Sequence, residues 1–350
     1  VRGLCAALAR EHDTRLYAAQ SVDRRGRFGE PTPAIITGVP GWPSWLKRYG
    51  EMREVRAARC LADRVLHDAF EGWTPDVIIE RHTLFSDAGW RLHDRLGRPW
   101  VLEVNAPPVV ERSRFETVLQ PRWADRWERQ VLLAAPVVVA VSRWLVRWLT
   151  EEVGCRNVRW IPNGVVPVRG DRERGRRLLG VAQDEPLVGF VGSMRQWHGI
   201  ERLGRIAVAL HARLALIGPR PADLPLGAVA PGYLRAQDLA DAVAALDLAL
   251  APYPEDTPPW FCPLKLLDYR AQGTPVVAGD VGDVREILEQ GGTVVPPADD
   301  GAYIEAGRRW LGRRTHPRVR SWQTVSRQVL EAAGVGDGST ATATVEVGPP

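Results

Sequence analysis

Cysteine is scarce and dispersed in this 350-residue sequence: Cys5, Cys60, Cys155 and Cys262 stand far apart and form no C-x-x-C pair. That spacing offers no disulfide framework and points to reduced thiols in a cytosolic chain. No apolar run approaches the roughly eighteen residues of a spanning helix, and no signal peptide is visible, so the sequence does not read as membrane-spanning. No D-x-D triplet occurs, so no paired-carboxylate metal site is apparent. H-E-x-x-H, G-x-S-x-G and G-x-x-x-x-G-K-[ST] are absent as well, which removes the chemistries those motifs carry. An excess of one charge is also missing. Lys and Arg number 46 against 42 Asp and Glu, a net charge of +4. That is too slight to argue for nucleic acid and is compatible with anionic ligands or an anionic membrane surface.

What is present is a soluble, globular composition, 45% hydrophobic and 25% charged, in a chain long enough for two domains. The 14 tryptophans exceed Tyr and Phe together, at 6 each. Most suit core or rim positions, with a few available to lipid or sugar. Helical and strand patterns alternate throughout. The first series contains expected strands at Thr14–Ala18, Asp76–Glu80, Trp100–Val104, Val137–Val141 and Val158–Ile161. Helices are expected at Arg2–Arg10, Met52–Phe70, Ser86–Leu96 and Trp127–Ala135, with another capped by Ser142. Pro162-Asn163-Gly164 marks a break. The second series has strands LVGFVG from Leu187, LALIG from Leu214, LALAP from Leu248, PVVAG from Pro275 and TVVP from Thr293. Two β/α series of similar size predict an α/β fold of two Rossmann-like domains facing a cleft, residues 1–163 and 164–335. The second is expected to include a closing helix. The Gly/Thr/Pro-rich tail, 336–350, is expected to be disordered. The chain opens inside what reads as the helix after a first strand, so one strand and a Gly-rich loop are expected to be missing at the amino end.

Four segments carry candidate chemistry. In VGFVGSMRQWHGIERL, Gly192 lets the backbone approach a ligand, N–H groups near Gly199 favour an anion, and Arg195 and His198 add positive charge. The alternative is an ordinary β/α loop. In PLKLLDYRAQGTPVV, Lys265 and Asp268 lie three apart on one helical face near the carboxyl end of a strand, where open α/β sheets bind nucleotides. The ammonium suits a phosphate and the carboxylate suits a ribose diol. Alternatively the two are a surface ion pair. VLEVNAPP ends a buried strand with Glu103 and Asn105, as cleft-facing groups or as a strand-end cap. ERHTLFSDAG offers Arg81 and His82, although a lone histidine is more often structural. The stripe Trp144, Leu145, Trp148, Leu149 reads as helix core, and Arg143 and Arg147 beside it leave a membrane-surface role open.

The segments VLEVNAP, VVVAVSRWLVRWL, IPNGV, VGFVGSMRQWHGIERL, PLKLLDYRAQGTPVV and GGTVVPP, in this order, resemble the retaining glycosyltransferases of family 4, which have the GT-B fold. The resemblance runs from the first helix to about Ala333, with RSWQTVSRQVLEAA similar to the closing helix. It implies transfer of a sugar from a nucleoside diphosphate sugar with retention and without metal or other cofactor. The donor would bind residues 164–335 and the acceptor residues 1–163. The implied donor contacts are Gly192, Ser193, His198, Gly199, Leu264 and Asp268; the implied catalytic groups are Arg195, Lys265 and Asn105. His82, Glu103 and Trp260 are candidate sugar or acceptor contacts. The resemblance also implies that the acceptor hydroxyl attacks from the leaving-group face, with a donor phosphate oxygen taking its proton. The sequence departs from the family pattern in places. Trp260 stands where the family has the first glutamate of its E-x7-E motif, and Asp268 replaces the second. Ser193 and His198 fall where Arg and Lys are common, and Asn105 where many members have histidine. Cys262 takes the serine position of SPLKLLEY. Expected partners are a nucleotide sugar and a glycan, lipid-linked or small-molecule acceptor, with possible peripheral membrane contact and no nucleic acid. The expected location is cytoplasmic, at or near the inner face of the membrane. Two other readings stay open: a nucleotide-binding chain without catalysis, and a nucleotide-sugar epimerase or hydrolase on the same fold.

Overall fold

The structure, a computed structural model, describes residues 2–18, 44–115, 118–194, 198–220, 224–335 and 343–347. Two compact units form: Val1–Pro162 with Trp322–Pro350, and Asn163–Ser321. The chain enters the first unit through α1 (Arg2–Leu8), β1 (Thr14–Ala18), α2 (Ser44–Phe70), β2 (Val77–Arg81), α3 (Ala88–Leu96) and β3 (Trp100–Val104). It continues through α4 (Pro108–Phe115), α5 (Pro121–Ala134), β4 (Val137–Ala140), α6 (Arg143–Arg147), a π-helical turn (Trp148–Val153) and β5 (Val158–Trp160). The second unit contains α7 (Arg172–Leu179), β6 (Leu187–Val191), a 3-10 turn (Ile200–Arg202), α8 (Leu203–Ala209), β7 (Arg213–Ile217) and β8 (Val229–Gly232). After these come α9 (Ala236–Ala245), β9 (Leu248–Ala251), α10 (Leu264–Ala271), β10 (Val276–Gly279), α11 (Val284–Leu288), β11 (Gly292–Val295) and α12 (Asp300–Trp310). The chain then returns to the first unit as α13 (Trp322–Ala332) and β12 (Ala343–Val347).

Each unit holds a six-stranded parallel sheet among the described residues, in the orders β1-β12-β2-β3-β4-β5 and β11-β10-β9-β6-β7-β8. Parallel strands covered on both faces need apolar side chains at every position. WVLEV in β3, VVVA in β4, LALA in β9 and VVAG in β10 are buried throughout. The helix starts are set by side-chain caps. Ser142, Asp171 and Asp299 accept from the N–H groups of Leu145, Arg174 and Ala302. Asp241 on α9 is buried and receives the Arg174 guanidinium and the Asp171 N–H, which hold its carboxyl down to about 2. That bond network pins the start of the second unit to α9.

Two expectations about the carboxyl-terminal part are corrected. The closing helix belongs to the first unit: Val325, Val329 and Leu330 of α13 pack in one core with Leu4 and Leu8 of α1 and Val77, Ile79 and Val101 of the sheet. Its periodicity was visible in the sequence, but its partner lies more than three hundred residues away. The tail is not wholly irregular. Ala343–Val347, rich in Thr and Val, pairs in parallel with β1 on one side and β2 on the other. Among the described residues, Ala343–Val347 is thus the strand between β1 and β2.

Candidate functional site

In the second unit, the carboxyl ends of β6, β9 and β10 and helix α10 gather the groups singled out from the sequence. The exit of β6 is fixed from below, where the Tyr269 hydroxyl on α10 accepts the Val191 N–H at 2.7 Å. Gly192 follows and donates to the Ile217 carbonyl at 3.0 Å. Its own carbonyl presses so close to Gly218 that a Cβ there would stand 2.0 Å away. Ser193 is exposed, and Met194 turns the chain in the left-handed region at φ 55°. Arg195, the expected catalytic cation of this loop, lies outside the described residues. Gly199 has φ 64° and faces the Pro252 carbonyl, which would lie 1.9 Å from a Cβ. Only glycine fits there, and the contact locks the loop after β6 to the exit of β9.

Helix α10 carries the two charged candidates. Lys265 and Asp268 share a face, but no ion pair forms between them, so the surface-pair alternative is excluded. The Lys265 Nζ is sealed from solvent without a hydrogen-bond partner. It lies 4.1 Å from the ring centroid of Phe190 and 5.5 Å from that of Tyr253. Burial without a counter-charge pushes the ammonium down to about 7. The same cause pushes the Asp268 carboxyl up to about 6. An unpaired acid and an unpaired base, both shifted toward neutrality at a sheet edge, make this the candidate functional site of the second unit.

Aromatic rings frame Lys265. The buried His198 ring lies 5.3 Å from Phe190 and 6.4 Å from both Tyr253 and Phe261. Tyr253 stands edge-on to Phe261 at 5.1 Å, and its sealed hydroxyl has no hydrogen-bond partner. Neither Tyr253 nor Phe190 was singled out from the sequence; the apolar neighbourhood of a basic residue after PLK was the signal available. Leu264 is 47% exposed at the start of α10, whereas Trp260 is buried. The Cys262 thiol is pushed up to about 11 by burial and receives a bond from Asn163 Nδ2 at 3.9 Å. Asn163 of the Pro-Asn-Gly break is thereby tied into this unit.

The first unit has its own polar cluster at the carboxyl edge of β2 and β3. Asn105 donates to Glu103, and Glu103 faces Arg81 across the strand register. The Glu103 carboxylate acts on Cys5 of α1, whose thiol is pushed up to about 11, chiefly by burial. His82 turns elsewhere. Its backbone donates to Glu103 O at 2.8 Å, but its sealed ring sets Nε2 3.7 Å from Glu128 of α5. Glu128, missed in the sequence, also accepts the Val109 N–H at 3.3 Å in the first turn of α4. Asn105 and Glu103 are therefore brought together, and His82 joins a buried pair with Glu128. Among the described residues no group of three or more His, Cys, Asp or Glu side chains is placed to hold a metal ion. None of their helices is long and apolar enough to cross a membrane.

Comparison with known proteins agrees with this layout. The family model described as Glycosyltransferase Family 4 matches residues 1–169, and the one described as Glycosyl transferases group 1 matches 185–313. A D-inositol 3-phosphate glycosyltransferase of Geodermatophilus obscurus is 30% identical over 71% of this chain. The chain spans 64% of the length of that relative. A GDP-mannose-dependent alpha-mannosyltransferase of Mycolicibacterium smegmatis is 25% identical, covering 74% of this chain and 73% of the relative. Among solved structures, sucrose-phosphate synthase from Thermosynechococcus elongatus superposes with a TM-score of 0.63 at 20% identity, over 95% of this chain and 88% of that one. Two parallel α/β units, each matched by its own family model, lead to one assignment: the chain belongs to the family 4, group 1 glycosyltransferases and has their GT-B fold.

Proposed function

We propose that the protein transfers a sugar from a nucleoside diphosphate sugar to an acceptor hydroxyl with retention and without a metal. The observation that carries this reading is the unpaired Lys265 and Asp268 on α10 at the carboxyl edge of the second sheet. Lys265 supplies positive charge to the diphosphate, with the backbone at Gly192 beside it; Arg195 is the second cation that the sequence offers. Asp268 accepts hydrogen bonds from the ribose diol. As the bond to the sugar breaks, negative charge grows on the leaving phosphate, and a cation in a dry aromatic setting stabilises it more than water does. The acceptor hydroxyl attacks from the same side and passes its proton to a donor phosphate oxygen, so no separate general base is needed. Asn105 and Glu103 of the first unit are assigned to the acceptor side. GDP-mannose and UDP-sugars are the donor classes to try first. The setting is cytoplasmic; Trp144 and Trp160, with the exposed Arg143 and Arg147, are the groups available for contact with an anionic membrane. The test is thermal unfolding and calorimetry with UDP and GDP in the presence of a chelator. A rise in Tm with either supports the reading, and no shift with any nucleoside diphosphate overturns it.

A further inference from the structure

We propose that sugar-nucleotide binding in the second unit is coupled to protons: one is taken up at Lys265 in neutral to basic solution, and one is released from Asp268 in acid. This rests on the donor-site reading above. The geometry behind it is the Lys265 Nζ, sealed under aromatic rings without a hydrogen-bond partner, and the half-buried Asp268 one turn further along α10, which forms no ion pair with it. From β6, Lys265 meets the Phe190 ring and the Gly192 backbone, where a Cβ would lie 2.8 Å from Nζ. From the segment after β9 it meets Tyr253, whose ring packs on His198 and Phe261. Among the described residues, the titratable groups around the pair are His198, Tyr253, Cys262 and Tyr269, besides Lys265 and Asp268 themselves. None forms an ion pair with Lys265 or Asp268. Among the described residues, burial is what depresses Lys265 and elevates Asp268.

A group held toward neutrality by desolvation changes its proton occupancy when a ligand brings the missing charge. A diphosphate beside Nζ favours the ammonium, so the amine gains a proton wherever it was without one. Ribose hydroxyls donating to Asp268 favour the carboxylate, so the carboxyl loses a proton wherever it held one. The sign of the exchange therefore reverses between acid and base. The diphosphate of a sugar nucleotide is esterified at both ends and has no proton to exchange near neutrality, so the exchanged proton is the protein's.

The experiment is isothermal titration of the full chain with UDP-glucose and, separately, GDP-mannose, in pairs of buffers of different ionisation enthalpy. Uptake approaching about one proton is expected near pH 8, and release of about half a proton or more near pH 5.5. Lys265→Arg is expected to bind without uptake at the higher pH, and Asp268→Asn without release at the lower. Binding whose enthalpy is independent of buffer at both pH values overturns the proposal and leaves the donor site standing. Uptake that persists unchanged in Lys265→Arg also overturns it. If neither sugar nucleotide binds, the donor-site reading falls and the proposal with it. The wild-type measurement decides the question alone if a variant does not fold.

Discussion

Gly192 roofs the ammonium of Lys265: a methyl group on Gly192 would stand 2.8 Å from Nζ and 3.0 Å from the Phe190 ring. The ring cannot retreat, because Phe190 is fully buried in the core. Gly192→Ala must therefore push the lysine chain. We expect it to weaken UDP or GDP binding at least roughly tenfold, on the scale of a charged hydrogen bond. Calorimetry alongside thermal unfolding checks this; unchanged affinity would remove Gly192 and Lys265 from the contact surface.

Asp268→Ala and Arg195→Ala are each expected to weaken nucleotide binding by roughly tenfold or more. Asp268→Asn should lose less, since the amide oxygen still accepts a bond. If both alanine variants bind like the parent protein, the ribose and phosphate assignments are wrong.

The charged forms of Lys265 and Asp268 both destabilise the fold, with opposite pH slopes. Asp268 titrates at about 6 folded against 3.8 unfolded, so the folded state holds the extra proton and stability falls as pH rises from about 4 to 6. Lys265 titrates at about 7 folded against 10.5 unfolded, so the unfolded state holds the extra proton and stability rises from about pH 7 to 10. Urea melts across this range should show a trough near neutrality. Lys265→Met is expected to fill its basic side, adding roughly 1–3 kcal/mol at neutral pH while abolishing nucleotide binding. A stability curve identical to the parent's would refute the burial argument.

Two tyrosines make a controlled contrast. The Tyr269 hydroxyl accepts the Val191 N–H at 2.7 Å, whereas the buried Tyr253 hydroxyl has no partner. Tyr269→Phe should cost about 1–3 kcal/mol by orphaning a buried N–H, and Tyr253→Phe should be neutral or slightly stabilising. Chemical denaturation of both decides it; equal losses would mean that ring packing, not the hydroxyl bond, sets the difference.

Ten of the twelve described strands were legible, most of them as short apolar runs between helical patterns, as in WVLEV and PVVAG. The pairing of Lys265 with Asp268 on one helical face was legible from their spacing. That they avoid one another was not, because it depends on rings that arrive from β6 and from beyond β9. His82 was read with Arg81 as a cleft candidate because both end or follow a strand; the structure turns the His82 ring to Glu128, a contact that no local pattern encodes. Helix α4 and strand β8 were not anticipated: PVVERSRF offers little apolar periodicity, and VAPG is half-exposed and contains proline. The unit that α13 joins, and the strand at Ala343–Val347, are decided by long-range packing and backbone pairing.

The position of β12 ties together distant stretches of the chain. Its neighbours β1 and β2 reach each other only through it, and it follows the whole of the second unit in the chain. Among the described residues, β1 and β2 can therefore be joined only once residues 343–347 have been made. Until then the facing edges of β1 and β2 stay open to pairing with other chains.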